Sequence, residues 1–121
     1  MGSQSYRDLL AWKQGIELVG QIYNATRSWP NHEMYGLTSQ VRRAAVSIPA
    51  NIAEGQGRNG QREFANFLGI ANGSICELET LIVIARQEGY LTEDQELSLN
   101  QQSRRVASLL NGLLKSLRSA S

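Results

Sequence analysis

Cysteine and histidine each occur once in the 121 residues, and proline occurs twice. With Cys76 alone, no intrachain disulfide can form, and a reducing compartment suits the chain. With His32 alone, His-rich metal sites and mechanisms needing two histidines from one chain are excluded. Two prolines, Pro30 and Pro49, and no long β-branched run point to helix rather than sheet. Aromatic residues are few, with two Phe, two Trp and four Tyr, and no nucleic-acid reading motif is present. No run of about 18 consecutive apolar residues occurs, so no membrane span is expected. The start has no apolar signal core, and Tyr6 stands where a myristoylation pattern requires Ser or Thr. The expectation is a cytoplasmic protein.

At 41% hydrophobic and 19% charged, the composition is that of one globular domain spanning residues 1–121. Net charge is only +1, yet its distribution is uneven. Residues 77–96 carry −5 and residues 97–121 carry +4. Ten of the twelve cations are arginine, the side chain suited to bidentate contact with carboxylate or phosphate. The plainest expectation is that the acidic stretch and the basic tail neutralise each other, within a bundle or across subunits.

Hydrophobic periodicity predicts four helices. The first, about residues 8–27, has a seam of Leu9, Trp12, Ile16, Val19, Tyr23 and Thr26. Ser5 with Asp8 is its expected N-terminal cap, and Trp29-Pro30-Asn31 its end. The second, about 37–54, carries Leu37, Val41, Ala44, Ile48 and Ile52, flanked by the small Ala45, Ser47, Ala50 and Ala53. Pro49 lies inside it, and the stripe continuing from Ile48 to Ile52 predicts a kink rather than a break. The third, about 61–87, has the seam Phe64, Leu68, Ala71, Ile75, Leu78, Ile82 and Ala85. A second stripe of Phe67, Ile70, Leu81 and Ile84 makes this the central helix, touching more than one neighbour. Gly89 is its natural cap, and Thr92 with Gln95 forms a capping box for the fourth helix, about 93–118. Leu99, Val106, Leu110, Leu113 and Leu117 seam that last helix. Short loops imply antiparallel neighbours, so the fold class is all-α, an up-down-up-down four-helix bundle.

Chemistry is sparse in this pattern. Gly55-Gln56-Gly57-Arg58-Asn59-Gly60 matches the spelling of a dinucleotide fingerprint, but no strand precedes it to form the required β-α-β unit. It reads as a helix stop and a tight turn, and no cofactor is expected. Arg58 and Arg62, near the start of the third helix, are candidates to hold an anion. Glu77 and Glu79 are followed by no histidine, which excludes a di-iron bundle centre. Cys76 reads as a packing residue, and His32 beside Glu33 as a solvated loop pair. Glu54 and Arg58 have the spacing of an i,i+4 ion pair. Arg42 with Arg43, and Arg104 with Arg105, are adjacent on their helices and diverge by about 100°. They serve either salt bridges or sequence-independent contact with nucleic-acid phosphates.

The stretch YGLTSQVRRAAVSIPANIAEGQGR, residues 35–58, resembles the bacterial four helix bundle protein family, also called the large-subunit rRNA intervening-sequence protein family. The resemblance continues through FLGIANGSICELETLIVIARQEGYL, residues 67–91, and the Trp12 helix. A related branch is the accessory variability determinant of diversity-generating retroelements, which is basic and associated with nucleic acid and a reverse transcriptase. The resemblance implies an up-and-down bundle assembled as a ring-shaped homopentamer, without enzymatic activity. The expected function is thus a non-enzymatic, self-assembling scaffold or adaptor. The alternative is a nucleic-acid-associated protein using arginines of the second and fourth helices.

Overall fold

The computed structural model describes residues 5–120. Four helices build it: α1 Leu10–Thr26, α2 Leu37–Gln56, α3 Gln61–Gln87 and α4 Glu93–Ala120. Among the described residues there is no strand. α1 packs on α2 and α4, and α3 packs on the same two, so α1 and α3 lie diagonally across an antiparallel bundle.

The helix ends follow local chemistry. At the end of α3, Gly89 adopts φ 81°, a left-handed conformation that glycine enters without a Cβ penalty. Its N–H donates to Arg86 O at 3.1 Å, while Tyr90 N–H donates to Ala85 O at 2.9 Å, a complete Schellman closure. At the start of α4, Thr92 N–H donates to Gln95 Oε1 at 2.8 Å and Gln95 N–H to Thr92 Oγ1 at 3.1 Å. Glu93, Asp94 and Glu96 in the first turn complement the positive end of the helix dipole.

The N-terminal cap differs from expectation. Ser5 Oγ accepts the Arg7 N–H at 3.1 Å, but the element it caps is a 3₁₀ turn, Tyr6–Asp8. Leu9 is then extended, and α1 begins only at Leu10. Tyr6 stands edge-on to Trp12 at 5.3 Å, and that contact holds the turn against α1. α1 also ends earlier than expected, at Thr26, whose hydroxyl folds back onto Ile22 O at 2.8 Å.

α2 runs through Pro49 without interruption and does not restart there. It extends to Gln56, two residues beyond its predicted end. Pro49 is buried against Gly15 of α1, where an added Cβ would meet the Pro49 Cβ at 3.4 Å. The proline therefore gives up one helical hydrogen bond at a point where its ring fills the closest approach of two helices. At the other end of α2, Gly55 permits a closer contact still: a Cβ there would lie 2.6 Å from Phe67 Cβ. Gly60, at φ 102°, then turns the chain into α3.

The core is filled by Leu18, Ile22, Ile48, Ile52, Leu68, Ile75, Leu78, Ile82, Val106 and Leu110, all inaccessible to solvent or nearly so. On α1 the buried face is Ala11, Gly15, Leu18, Ile22 and Thr26. The predicted seam is thus displaced around the helix: Thr26 is inside, Leu9, Trp12 and Val19 are half-buried, and Ile16 and Tyr23 are exposed. Of the second stripe on α3, Leu81 is buried and Phe67 half-buried, but Ile70 and Ile84 face outward. The physical reason is the same in both cases. The core sides of α1 and α2 are lined by Ala11, Gly15, Ala44 and Ala45, so the helices approach closely and no room remains for a second row of large side chains.

Glu33 pins the two loops at one end of the bundle together. Its Oε1 accepts the Leu37 N–H at 3.1 Å and its Oε2 accepts the Tyr90 hydroxyl at 2.9 Å. The Leu37 hydrogen bond foremost, then that from Tyr90, holds the Glu33 carboxyl below its ordinary range. A carboxyl so lowered stabilises the fold above its ordinary pKa, and that contribution is lost as pH falls through the folded-state value. Tyr90, raised chiefly by the same hydrogen bond, adds stability that is lost as pH climbs past the ordinary phenol value. Glu33→Gln is therefore expected to flatten the acid limb of the stability profile. Thermal melts from about pH 7 down to about pH 3 check this. An acid limb unchanged from wild type would contradict it.

Candidate interaction surfaces

The six arginines singled out by sequence do not converge. Arg42 lies in the α1–α2 crevice, with its Nε donating to Thr26 Oγ1 at 2.9 Å and its guanidinium 4.6 Å from the Tyr23 ring centroid. Its neighbour Arg43 turns to the opposite side of α2, where it lines a shallow depression with Gln40, Ser47 and Glu77. Arg104 makes a bidentate pair with Glu79, at 2.8 and 3.0 Å, and Ser103 donates to the same carboxylate at 2.9 Å. That pair, with Arg86–Glu96 at 3.6 Å, is local neutralisation within the bundle. Arg105 is exposed on a different side of α4. Two stacked or paired arginines and two outward ones, each on a different side, do not form one phosphate-binding site.

Antiparallel topology does gather cations at one end. α2 finishes, α3 begins and α4 finishes there, bringing Arg58, Arg62, Lys115 and Arg118 to the same end of the bundle. Arg62 and Arg118 line one depression with Gln61, Ala65 and Leu117. Arg58 pairs with Glu54 at 2.7 Å, the predicted i,i+4 bridge, and stacks 5.0 Å from the Phe67 ring. The opposite end carries Glu33, Glu88, Glu93, Asp94 and Glu96 against Arg27 and Arg86, while the cationic end also holds Asp8, Glu54 and Glu63, so the molecule has a net polarity along its length. His32 lies at that acidic end, exposed and 3.9 Å from Glu33, as a solvated loop pair. Among the described residues no group of three His, Cys, Asp or Glu side chains is placed to hold a metal.

Sequence reading missed the more distinctive feature, which is apolar. Large hydrophobic side chains remain outside a core that is already full. On the α1–α2 side these are Ile16 (45% exposed), Tyr23 and Val46, beside the half-buried Trp12 and Val19. On the α3–α4 side they are Ile70, Val83 and Ile84 of α3, with Leu97 of α4. Around Gly69 and Gly73, on the outer face of α3, a Cβ would meet nothing within 4 Å. Cys76 is exposed in the same stripe, not packed inside as expected. By length and composition α3 is apolar enough to cross a membrane, at mean hydropathy 1.5, and only 33% of that window is buried within the bundle. The signal for the α1 surface was present in the sequence: α1 carries two parallel 3–4 repeats, Ala11-Gly15-Leu18-Ile22 and Trp12-Ile16-Val19-Tyr23.

A crystal structure from Bacteroides thetaiotaomicron, described as a protein of unknown function from the S23 ribosomal protein family, has the same fold. It superposes with a TM-score of 0.81 at 26% identity, over 88% of this chain and 96% of that one. No curated protein matches the sequence. A family model described as 23S rRNA-intervening sequence protein matches residues 7–112, nearly the whole bundle, with the Trp12 helix, the Pro49 helix and the outward face of α3 all inside it. Fold and sequence agree, and the chain belongs to the 23S rRNA-intervening sequence protein family.

Proposed function

We propose that the protein is a non-enzymatic scaffold or adaptor of the cytoplasm that works as a ring-shaped homopentamer. The observation behind this reading is the apolar surface on two well-separated sides of a bundle whose core is already filled. A ring requires two different patches per protomer, since each subunit presents one to its neighbour ahead and another to its neighbour behind. Single exposed hydrophobic residues need no explanation, but stripes on two helices do. Native mass spectrometry tests the reading. The expected mass is five times the 13.4 kDa protomer, and a monomer at micromolar concentration would reject it.

A second reading has one structural observation in its favour. The cationic end that gathers Arg58, Arg62, Lys115 and Arg118 suits a phosphate backbone, and a ring would repeat it around one face. In this reading nucleic acid binds at the end of the bundle, where the cations lie together, and not along α2 and α4, whose arginines lie on separate sides of the bundle.

A further inference from the structure

We infer that one protomer's α3 seats its glycine-lined outer face on the α1–α2 surface of the next copy, in parallel and at equal height. This deepens the self-assembly reading and rests on it, by assigning the two surfaces that pair.

The register follows from contacts inside one protomer. Gly15 of α1 is level with Pro49 of α2, since the two touch. Ser47, two residues before Pro49, bonds Ser74 of α3, so that part of α2 is level with residues about 72 to 74. Ile16 therefore stands at the height of Gly73. One turn below, Trp12 stands at the height of Gly69. α1 and α3 run in the same direction in an up-down-up-down bundle. Copies related by an axis parallel to the bundle thus bring α1 of one beside α3 of the next, with no shift along the axis. Large side chains then face positions without side chains, Trp12 opposite Gly69 and Ile16 opposite Gly73. Both stripes repeat in steps of three and four, so the match persists for several turns.

Charge supports a second copy as the occupant. From Phe64 to Cys76 the sequence of α3 carries no charge, and its first carboxylate beyond that run, Glu77, is exposed at the α2 edge of that face, beside the depression that Arg43 lines, with no ion pair to it among the described residues. The next, Glu79, is already neutralised by Arg104. The α1–α2 surface presents Arg42, at the height of Glu77 to within about a turn, with Arg27 on the same side of α1. Pairing unlike surfaces sets carboxylate against guanidinium, whereas pairing like surfaces would set each charge against its own kind. The arrangement is therefore head-to-tail, which closes into a ring.

The test uses Gly73→Lys and Ile16→Lys, one on each surface and both outside the core. Lysine is a better helix former than glycine, so Gly73→Lys keeps its helical circular dichroism. Each variant alone is expected to run at the mass of one protomer, and an equimolar mixture to give a dimer and nothing larger, since one intact surface of each kind remains. In the wild-type assembly Cys76 is expected to react with a maleimide at least tenfold more slowly than in Ile16→Lys, whose substitution lies on the other face. Wild-type assembly retained in Gly73→Lys, a mixture that stays monomeric, or equal Cys76 reactivity would each overturn the pairing while leaving self-assembly standing. A monomeric wild type would overturn self-assembly itself. If that monomer also floats with phosphatidylcholine vesicles, the α3 face meets lipid.

Discussion

Replacing Ile48 by alanine should cost the folded protomer about 2–5 kcal/mol. Ile48 is 0% exposed on α2, surrounded by core side chains. Truncation removes three methyl or methylene groups from the dry interior and leaves a void that helices pinned at Gly15–Pro49 and Gly55–Phe67 can close only in part. Ile16→Ala is the informative control. Both isoleucines belong to apolar stripes in the sequence, but Ile16 faces out, and its loss should change protomer stability by no more than about 0.5 kcal/mol. Urea unfolding midpoints compare the two, in the Gly73→Lys background if that variant runs as one protomer, so that association does not contribute to the transition. Equal costs for the two substitutions would mean that α1 is rotated from the orientation described.

If nucleic acid binds, affinity should fall by roughly 10³-fold or more between about 50 and 200 mM salt. The end of the bundle offers arginine and lysine, its aromatic rings are half-buried, with Arg58 over Phe67, and it carries no base-reading motif, so contacts would fall on phosphate, release counterions and read no sequence. A ring multiplies weak contacts of this kind, because each cationic end recurs around the axis. Arg62→Ala with Lys115→Ala should lower both the affinity and the slope of log K against log salt. Arg104→Ala should leave both nearly unchanged, since that guanidinium is already spent on Glu79. Titrations of duplex, single-stranded DNA and RNA decide the matter. Absence of binding at low salt would remove the second reading, and tight, salt-insensitive binding to one sequence would remove its mechanism.

Local chemistry was enough to read much of this molecule from its residues. The Thr92–Gln95 box, the Gly89 closure and the span of α3 are decided by atoms within a few positions of one another. So is the Glu54–Arg58 pair. A helix ends where its orphan N–H and carbonyl groups find partners, and those partners are near in sequence. The family could likewise be recognised from residues 35–58 and 67–91, since those positions carry both the proline-bearing helix and the apolar core helix.

Which way a helix is turned is a different question, and only packing answers it. α1 carries two apolar stripes about 100° apart, and hydropathy favours the wrong one, since Trp12, Ile16 and Tyr23 outweigh Ala11 and Gly15. The bundle inverts that preference because burial at a helix crossing is limited by distance. Small residues let α1 approach the Pro49 ring, and the gain from close contact along the whole crossing exceeds that from hiding one larger stripe. The fate of the arginines is decided in the same way. Arg43 and Arg105 read no differently from Arg42 and Arg104 until Tyr23, Thr26 and Glu79, far away in sequence, arrive beside one member of each pair. Residues alone determined the four helices, the caps at Gly89 and Thr92 and the family, all set by interactions that are local or repeated along one helix. The tertiary structure decided what is left outside, because exposure is settled by the neighbours a side chain meets, and those come from distant parts of the chain.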